Sequence, residues 1–397
     1  MKSKFHTYFF FYLLSLFFFS LIYLYQKHEV GNDSTVSEWF INYAGGFTKR
    51  GVVGHIVILI AETFKISLRD AILFSQISII SVYYILIFQY FKNIDTNRVI
   101  ILSILSPIFV LYPVAEIEVL ARKEVFIFCI FIIYTLLKND VYKNLYKVFV
   151  LTLAVLIWEP VIFFFAFFLA LDIFDSNFED FSKKFYLNLL NYLPSLSVAF
   201  YIAFNPISPE GHEQMSEYLL NNFDEVCYMS CYLLRYKSSL YEQFSAQFDH
   251  YSLEVILRYF LIILIGFGPM ILLSKNSKIN KKNIIFFKNF ENLFFPFAIM
   301  LSPVIILFAM GYDWGRWVNI SYVFSIISFI YIYKNNLINL SEKFLNYKLF
   351  KNINKKIFIF IFIIFCFGWN PKTVITGDVA SFPGYRVPYK VFKILSN

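Results

Sequence analysis

Apolar runs of about membrane length, separated by short polar segments, divide the whole chain. A helix needs about 20 apolar residues to cross the hydrocarbon core of a bilayer, so such runs are typical of transmembrane helices. Of the 397 residues, 59% are hydrophobic and only 16% are charged, which excludes an ordinary soluble domain. We predict an all-α, polytopic membrane protein with a single transmembrane domain over residues 1–397. The runs lie at about 7–26, 70–91, 99–113, 125–137, 147–173, 187–206, 253–274, 293–310, 315–334 and 357–369.

One run decides the predicted topology. The run 147–173 has Glu159-Pro160 at its centre, and proline inside a helix removes a hydrogen bond and favours a break. A single crossing would put the lysine-rich segments 275–293 and 334–356 outside, against the positive-inside rule. A fold-back at Glu159-Pro160 puts both inside. We therefore predict about eleven transmembrane helices, with the amino end cytoplasmic and the carboxyl end periplasmic.

Three segments are long enough to form structure on the periplasmic side of this topology. Segment 27–69 is predicted to be the first periplasmic loop with an interfacial helix, 207–252 a large loop, and 370–397 a tail. Cys227 and Cys231 lie in the large loop at a spacing of four, which favours a disulfide in an oxidising exterior. Two free thiols are the alternative.

Ionisable residues at the ends of the apolar runs mark candidate sites, since charges there are costly and are usually functional. The first loop carries Asp33 and Glu38, followed by Lys49-Arg50 next to Gly51. Glycine beside a basic pair lets the backbone approach an anion closely. The alternative is an interfacial anchor in which Lys49 and Arg50 touch lipid headgroups.

Two further clusters flank the middle of the chain. Arg122-Lys123-Glu124 leads into the run at 125–137, and its alternative role is a self-neutralising helix start. Glu159 follows Trp158 at the proposed fold-back, where desolvation is expected to raise the pKa of the carboxyl and suit it to acid–base chemistry. A water-facing turn residue is the alternative there.

The most specific cluster is the hairpin Asp313-Trp314-Gly315-Arg316-Trp317 between two apolar runs. Tryptophans are common at membrane interfaces and also form stacking platforms for sugar rings. Asp313 and Arg316 could instead simply pair with each other. A carboxylate, an arginine and two indoles together favour a saccharide-phosphate site.

Several function classes are excluded or disfavoured by what the chain lacks. It contains no phosphate-binding glycine loop followed by Lys-Ser/Thr, no Gly-x-Ser-x-Gly and no His-Glu-x-x-His. The net charge of +8 comes from lysines in short loops and does not predict nucleic-acid binding. Four cysteines are too few for a metal cluster. We predict no metal site and assign no cofactor. A donor substrate must therefore arrive already activated.

With these features, the chain resembles bacterial surface-polysaccharide membrane enzymes, namely O-antigen and capsule polymerases and the wider C-type-fold glycosyltransferases. The resemblance rests on the many-spanned layout, an acidic and glycine-bearing first loop, Arg50-Gly51, Arg122-Lys123-Glu124 and the 313–317 hairpin. It implies a bacterial inner-membrane protein that transfers a glycan from a polyprenyl-(pyro)phosphate-linked donor to an acceptor sugar. The implied partners are that donor, the lipid bilayer and a chain-length regulator, with no nucleic acid.

The resemblance also assigns roles. The catalytic base of such enzymes often lies in the first outer loop, here Glu38 or Asp33, although the paired acidic motif of some families is missing. Arginines would hold the departing phosphate, a carboxylate would take the acceptor proton, and tryptophans would stack on sugar. The candidate catalytic residues are Glu38, Asp33, Glu159 and Asp313, and the candidate substrate-binding residues are Lys49, Arg50, Arg122, Lys123, Glu124, Trp314, Arg316 and Trp317.

Two other functions compete with this one. A flippase or transporter of the lipid-linked glycan predicts charges at mid-membrane depth and internal repeats, and no repeat is visible. A polysaccharide acyltransferase would need a reactive His or Ser near the site, for which His55 is the candidate.

Overall fold

The computed structural model shows a predominantly helical protein, which confirms the helical prediction in its coarse form. It describes residues 2–30, 34–175, 183–235, 242, 245, 248, 250–280, 289–341, 354–376, 392, 393, 395 and 396. The α-helices are α1 (Lys2–Val30), α2 (Ser34–Ser37), α3 (Gly51–Phe64), α4 (Leu68–Phe91), α5 (Arg98–Ile104), α6 (Tyr112–Ala115), α7 (Glu124–Leu136), α8 (Asp140–Leu145), α9 (Leu151–Ile157), α10 (Phe165–Asp175), α11 (Lys183–Leu190), α12 (Leu193–Phe204), α13 (Pro209–Phe223), α14 (Leu253–Gly266), α15 (Gly268–Lys275), α16 (Phe294–Leu301), α17 (Ile305–Met310), α18 (Trp314–Lys334) and α19 (Lys355–Phe367).

Shorter elements connect these helices. Two strands, β1 (Ser277–Ile279) and β2 (Ile338–Leu340), pair antiparallel with Lys278 opposite Asn339. The 3₁₀ turns are Glu38–Phe40, Ile117–Val119, Glu159–Phe164, Tyr232–Arg235 and Ser302–Val304, and a π-helical turn covers Tyr146–Val150.

Several apolar helices could span a membrane. Within the described residues, four have the length and composition: Phe5–His28, Leu68–Phe91, Lys184–Phe204 and Trp314–Lys334. The pair α14 and α15, bent by 54°, would make a fifth if it forms one span. Large apolar side chains remain exposed on these helices, among them Phe18 and Phe19 of α1, as expected for surfaces that face lipid.

Fewer helices of membrane length are present than the predicted eleven, because prolines divide some of the runs. The run 99–113 is helical only to Ile104 before Pro107, and the run 293–310 is interrupted by a 3₁₀ turn that contains Pro303. Proline cannot donate a backbone hydrogen bond, so a continuous helix does not form at either place. The resulting apolar helices are shorter than a bilayer is thick.

The run 147–173 folds back on itself. α9 ends at Ile157, Trp158 is extended (φ −156°, ψ 96°), and Glu159-Pro160 starts a 3₁₀ turn that leads into α10. Residues on either side of this turn meet at the far end: Lys147 Nζ donates to Asp172 Oδ2 at 2.9 Å, and Lys143 pairs with Asp175. The segment from Lys143 to Asp175 is therefore a helical hairpin.

α18 forms the centre of the molecule. All of its residues from Gly315 to Ile332 are buried, and Phe324 packs against Phe131 and Phe164 with ring centroids 4.4 and 4.6 Å apart. Its 21 residues make it about 30 Å long. α7 starts beside the first turn of α18, where Glu124 pairs with Arg316. Polar residues at the two ends of α18 are thus separated by about the thickness of a hydrocarbon core.

Candidate functional site

Charged residues from five separate segments converge at the amino end of α18. We call this group the arginine cluster; within it, every member contacts another member directly. Glu38 contacts Arg122, which lies 84 positions further along the chain, and Arg50 contacts Glu159, 109 positions away. The members are Glu38, Lys49, Arg50, Arg122, Lys123, Glu124, Glu159, Asp313 and Arg316.

Helix starts position these side chains. α3, α7 and α18 begin at Gly51, Glu124 and Trp314, directly after or at members of the cluster. The amino ends of helices carry partial positive charge, which favours carboxylates beside them. Arg50 and Ala121 have φ values of 63° and 55°, a left-handed conformation that costs a non-glycine residue about 1–2 kcal/mol. Backbone strain therefore occurs at both basic turns of the cluster.

Glu38 is the buried centre of the cluster. Its side chain has no exposed area, and its Oε1 accepts from Arg122 Nη2 at 2.8 Å and from Arg50 Nη1 at 3.2 Å. Arg316 Nη2 lies 3.9 Å from the same oxygen. Burial alone would raise the pKa of Glu38, but Arg122, Arg316 and Arg50 outweigh it and hold the pKa well below the usual range. In this conformation the Glu38 carboxylate is enclosed by the three guanidinium groups, and its role as a catalytic base stays a prediction.

Arg50 connects this buried centre to the surface. Its guanidinium binds Glu159 through two hydrogen bonds of 2.8 Å, from Nε and Nη2, while Nη1 binds Glu38. Lys49 Nζ lies 3.7 Å from Glu159 Oε1. Burial of Glu159 works against ionisation, yet Arg50 and Lys49 lower its pKa to about 2. The expected raised pKa is thus wrong, since the sequence did not reveal these two cations beside the carboxyl.

Arg316 makes the second link between buried and exposed groups. It pairs with the buried Glu124, and its Nη1 donates to Asp313 Oδ2 at 2.6 Å. The i,i+3 pairing weighed from the sequence is therefore present. The side chain of Arg316 is only 3% exposed, whereas that of Asp313 is 28% exposed. Asp313 is consequently the most exposed carboxylate of the cluster.

The turn at residues 122–124 lies beneath the cluster. Arg122, Lys123 and Glu124 are all buried in this conformation, and their contact with a substrate stays a prediction. Lys123 Nζ donates to the backbone oxygen of Arg50 at 2.6 Å, and burial lowers its pKa to about 7. Glu124 neutralises Arg316 from another helix, so the turn is not self-neutralising.

Of the two tryptophans of the 313–317 hairpin, Trp317 is buried and Trp314 is partly buried. Trp317 is 7% exposed and packs against Trp158 with ring centroids 6.2 Å apart. Trp314 contacts Tyr251 and Tyr259, and its Nε1 donates to the backbone oxygen of Phe308 at 2.7 Å. Both rings thus pack against other aromatic side chains in this conformation, and the stacking of sugar on them stays a prediction.

Among the described residues, buried polar atoms at or beside the cluster that have no hydrogen-bond partner include Thr48 Oγ1, Glu124 Oε2, Trp158 Nε1 and Trp317 Nε1. An unpaired buried donor or acceptor costs about 1–3 kcal/mol, so such atoms usually bind water or a ligand. These atoms can form hydrogen bonds to a ligand. The half-exposed Lys49 side chain adds a positive charge beside them.

The remaining predicted site residues separate into described and undescribed ones. Asp33 lies outside the described residues. Cys227 and Cys231 form a disulfide with Cα atoms 5.3 Å apart, and His212 Nε2 lies 3.2 Å from the backbone oxygen of Cys231. Within the described part of the chain, no three His, Cys, Asp or Glu side chains are grouped to hold a metal ion.

The start of the carboxyl-terminal segment packs against Glu116 and against Gly315 of the 313–317 hairpin, and these contacts were not predicted. Asn370 Nδ2 donates to Glu116 Oε1 at 2.7 Å, and Lys372 Nζ lies 3.1 Å from the same oxygen. A Cβ on Gly315 would lie 1.8 Å from the backbone oxygen of Lys372, so only glycine allows this approach. The only sequence signal was the charge of Glu116 in a short turn.

This arrangement can hold an anion beside Lys49 and Arg50 and can accept a proton at Asp313, while the buried ion pairs keep these groups in place.

Comparison with protein-family models, curated protein sequences and solved structures found no match.

Proposed function

We propose that the protein is a membrane glycosyltransferase or polymerase that uses a polyprenyl-(pyro)phosphate-linked glycan. The observation that carries this proposal is the convergence of Arg50, Arg122 and Arg316 around the buried Glu38 at one end of the helical bundle. Buried charges at the end of membrane-type helices are costly and are usually kept for function. A lipid-linked donor presents its phosphate at that depth.

The proposed reaction divides the cluster into two roles. The oxygen of an acceptor hydroxyl attacks the anomeric carbon, the bond from that carbon to the phosphate oxygen breaks, and Asp313 takes the hydroxyl proton. Lys49 and Arg50, the exposed and part-exposed cations, stabilise the charge on the departing phosphate. Glu38 is a positioning residue in this scheme, since it fixes the guanidinium of Arg50 without reaching the substrate.

We further propose that this end faces the periplasm of a bacterium and that the protein acts in O-antigen or capsule synthesis at the inner membrane. The fold-back at Glu159-Pro160 supports this orientation, because it puts the arginine cluster and the lysine-rich segment ends on opposite sides. The shorter apolar helices would complete about eleven crossings, with re-entrant or paired segments among them.

The test is the glycan produced by cells that carry Arg50→Lys or Asp313→Asn. Both changes preserve approximate size but remove the bidentate grip or the base, so we expect long glycan chains to be lost. Arg69→Lys is the matched control: Arg69 pairs with Glu225 at 2.5 Å and is similarly part-buried, but it lies outside the cluster. Glycan length is read on a gel, with protein amount in the membrane fraction measured beside it.

The pattern of loss distinguishes the alternatives. Loss of long chains with one repeat unit retained supports a polymerase. Loss of all glycan favours an earlier transferase or a flippase. Normal chain length in both variants at normal protein amount contradicts the proposed site.

A further inference from the structure

A polar cavity of about 440 Å³ lies at the end of α18 opposite the arginine cluster. A smaller cavity of about 160 Å³ adjoins it, and the two share Asp140, Lys143 and Asp175 in their walls. Charged and hydroxyl side chains from the connection between α7 and α8, and from α8, α10 and α18, meet in the larger one. They are Lys138, Asp140, Lys143, Asp175, Tyr331 and Lys334.

The walls of this cavity are held by a buried network. Asp172 is 5% exposed and accepts hydrogen bonds from Lys147 at 2.9 Å, Asn188 at 3.0 Å and Tyr192 at 3.1 Å. Lys143 is one helical turn before Lys147 and is also buried, where it pairs with Asp175. Lys143 thus gives the larger cavity a buried cationic group, whereas Lys138 and Lys334, which also line it, are exposed.

The described charges of the larger cavity do not cancel. Its lining contains three lysines and two aspartates: Lys143 pairs with Asp175, and Asp140 lies 3.5 Å from Lys184, which lines only the smaller cavity. Lys138 and Lys334 have no carboxylate within ion-pair distance among the described residues, and both line the cavity. Lys334 donates only to the backbone oxygen of Tyr90 and lies 4.8 Å above that ring. Two uncompensated ammonium groups thus face one polar space.

We propose that this cavity binds a phosphate monoester. Two ammonium groups complement a dianion, and lysine binds phosphate as a point charge. The tyrosine hydroxyl at Tyr331 adds a polar group to the same wall, and the volume suits a phosphorylated headgroup or a small phosphorylated metabolite. Lysines that only orient a membrane protein need neither a shared cavity nor a buried carboxylate network. The proposal is independent of the function proposed for the arginine cluster.

The experiment uses the full-length protein in nanodiscs of phosphatidylcholine. Radiolabelled inorganic phosphate is titrated against wild type, against Lys138→Gln/Lys334→Gln and against the control Lys278→Gln/Lys356→Gln. Lys278 and Lys356 are exposed lysines that do not line the cavity, so the control removes the same charge. Since each charge-assisted contact is worth about tenfold in affinity, we expect the cavity variant to bind phosphate at least about tenfold more weakly.

A second arm identifies the source of the phosphate. The nanodiscs are prepared with phosphatidic acid, and retained lipid is measured by native mass spectrometry with the same variants. Retention of phosphatidic acid that depends on Lys138 and Lys334 assigns the site to a lipid headgroup. Binding of free phosphate that phosphatidic acid does not displace assigns it to a soluble monoester. Equal binding by the cavity and control variants, or saturable binding of neither ligand to wild type, overturns the proposal.

Discussion

Glu38 shows how a single buried carboxylate can organise three arginines. At the residue scale, its two oxygens accept from Arg122 and Arg50 and attract Arg316, so each guanidinium is held in a fixed place. Removing one partner from a buried charge group leaves the others uncompensated, which is usually more costly than never having formed the group. In the proposed reaction, Glu38 would therefore position Arg50.

The depressed pKa values of the two glutamates predict how stability depends on pH. Because Arg50 and its neighbours stabilise the ionised forms of Glu38 and Glu159, the native state binds fewer protons than the unfolded state in acid. Their stabilisation is therefore complete above the unfolded pKa of about 4.5 and is lost as pH falls toward about 2, the folded pKa of Glu159. We expect the thermal unfolding temperature in detergent to fall between about pH 5 and about pH 3.

The variant Glu159→Gln isolates the contribution of one group to that fall. It should have a shallower pH dependence over the same range, because its side chain no longer gains a proton on unfolding. Glu213→Gln, an exposed position on α13, is the control and should keep the slope of wild type. Identical slopes in wild type and Glu159→Gln would show that the ion pair with Arg50 does not form.

At the element scale, the hairpin from Lys143 to Asp175 is the part of the fold that the sequence constrains most. A turn centred on Glu159-Pro160 places residue 147 opposite 172 and residue 143 opposite 175, and those are the observed ion pairs. Asp172 inside an apolar run was a signal for this pairing, since a lone carboxylate there needs a partner.

Other elements could not have been predicted in this way. The pairing of Glu38 with Arg122, or of Arg316 with Glu124, depends on how α7 and α18 pack, and no local spacing encodes it. The distribution of lysines predicts that the charged turns lie on one side of the bilayer. It does not indicate which of these turns are buried. The exposure of the Lys49 side chain and the burial of Trp317 likewise depend on how the helices pack, which no local spacing encodes.

The hairpin predicts a difference between breaking its buried ion pair and replacing it. Asp172→Asn leaves Lys147 buried without a counter-charge and should cost about 3–5 kcal/mol of unfolding free energy. The double variant Lys147→Met/Asp172→Leu should recover most of that loss, because no charge remains in the buried site. Chemical unfolding in detergent, followed by tryptophan fluorescence, measures both.

An exposed pair of the same residue types supplies the control for that comparison. Asp140 and Lys184 lie 3.5 Å apart with side chains 71% and 69% exposed, so Asp140→Asn should cost less than about 1 kcal/mol. If Asp172→Asn is as mild as Asp140→Asn, the hairpin is not held by the buried network.

At the scale of the whole molecule, the two polar ends of α18 should lie on opposite sides of the membrane. Lys49 and Lys138 are exposed at these ends, while the free cysteines Cys129 and Cys366 are buried. A cysteine introduced at Lys49 or Lys138 should therefore react selectively with a membrane-impermeant maleimide. We expect Lys49→Cys to be labelled in intact cells and Lys138→Cys only after permeabilisation.

The parent protein is the background control for this labelling, since its own cysteines are buried or disulfide-bonded. Labelling of both introduced cysteines from the same side would contradict the arrangement and remove the basis for a site facing the outside.

The complete enclosure of α18 has a consequence for biosynthesis. Asn319, Ser321, Ser325 and Ser328 are distributed along this helix, and no face of it is available to lipid. Alone in the bilayer it would expose these polar groups to hydrocarbon, at a cost that its modest hydropathy of 1.2 barely offsets. Its release from the insertion machinery should therefore wait for the earlier segments, so that the central helix enters the membrane after them, into a groove that they have already formed.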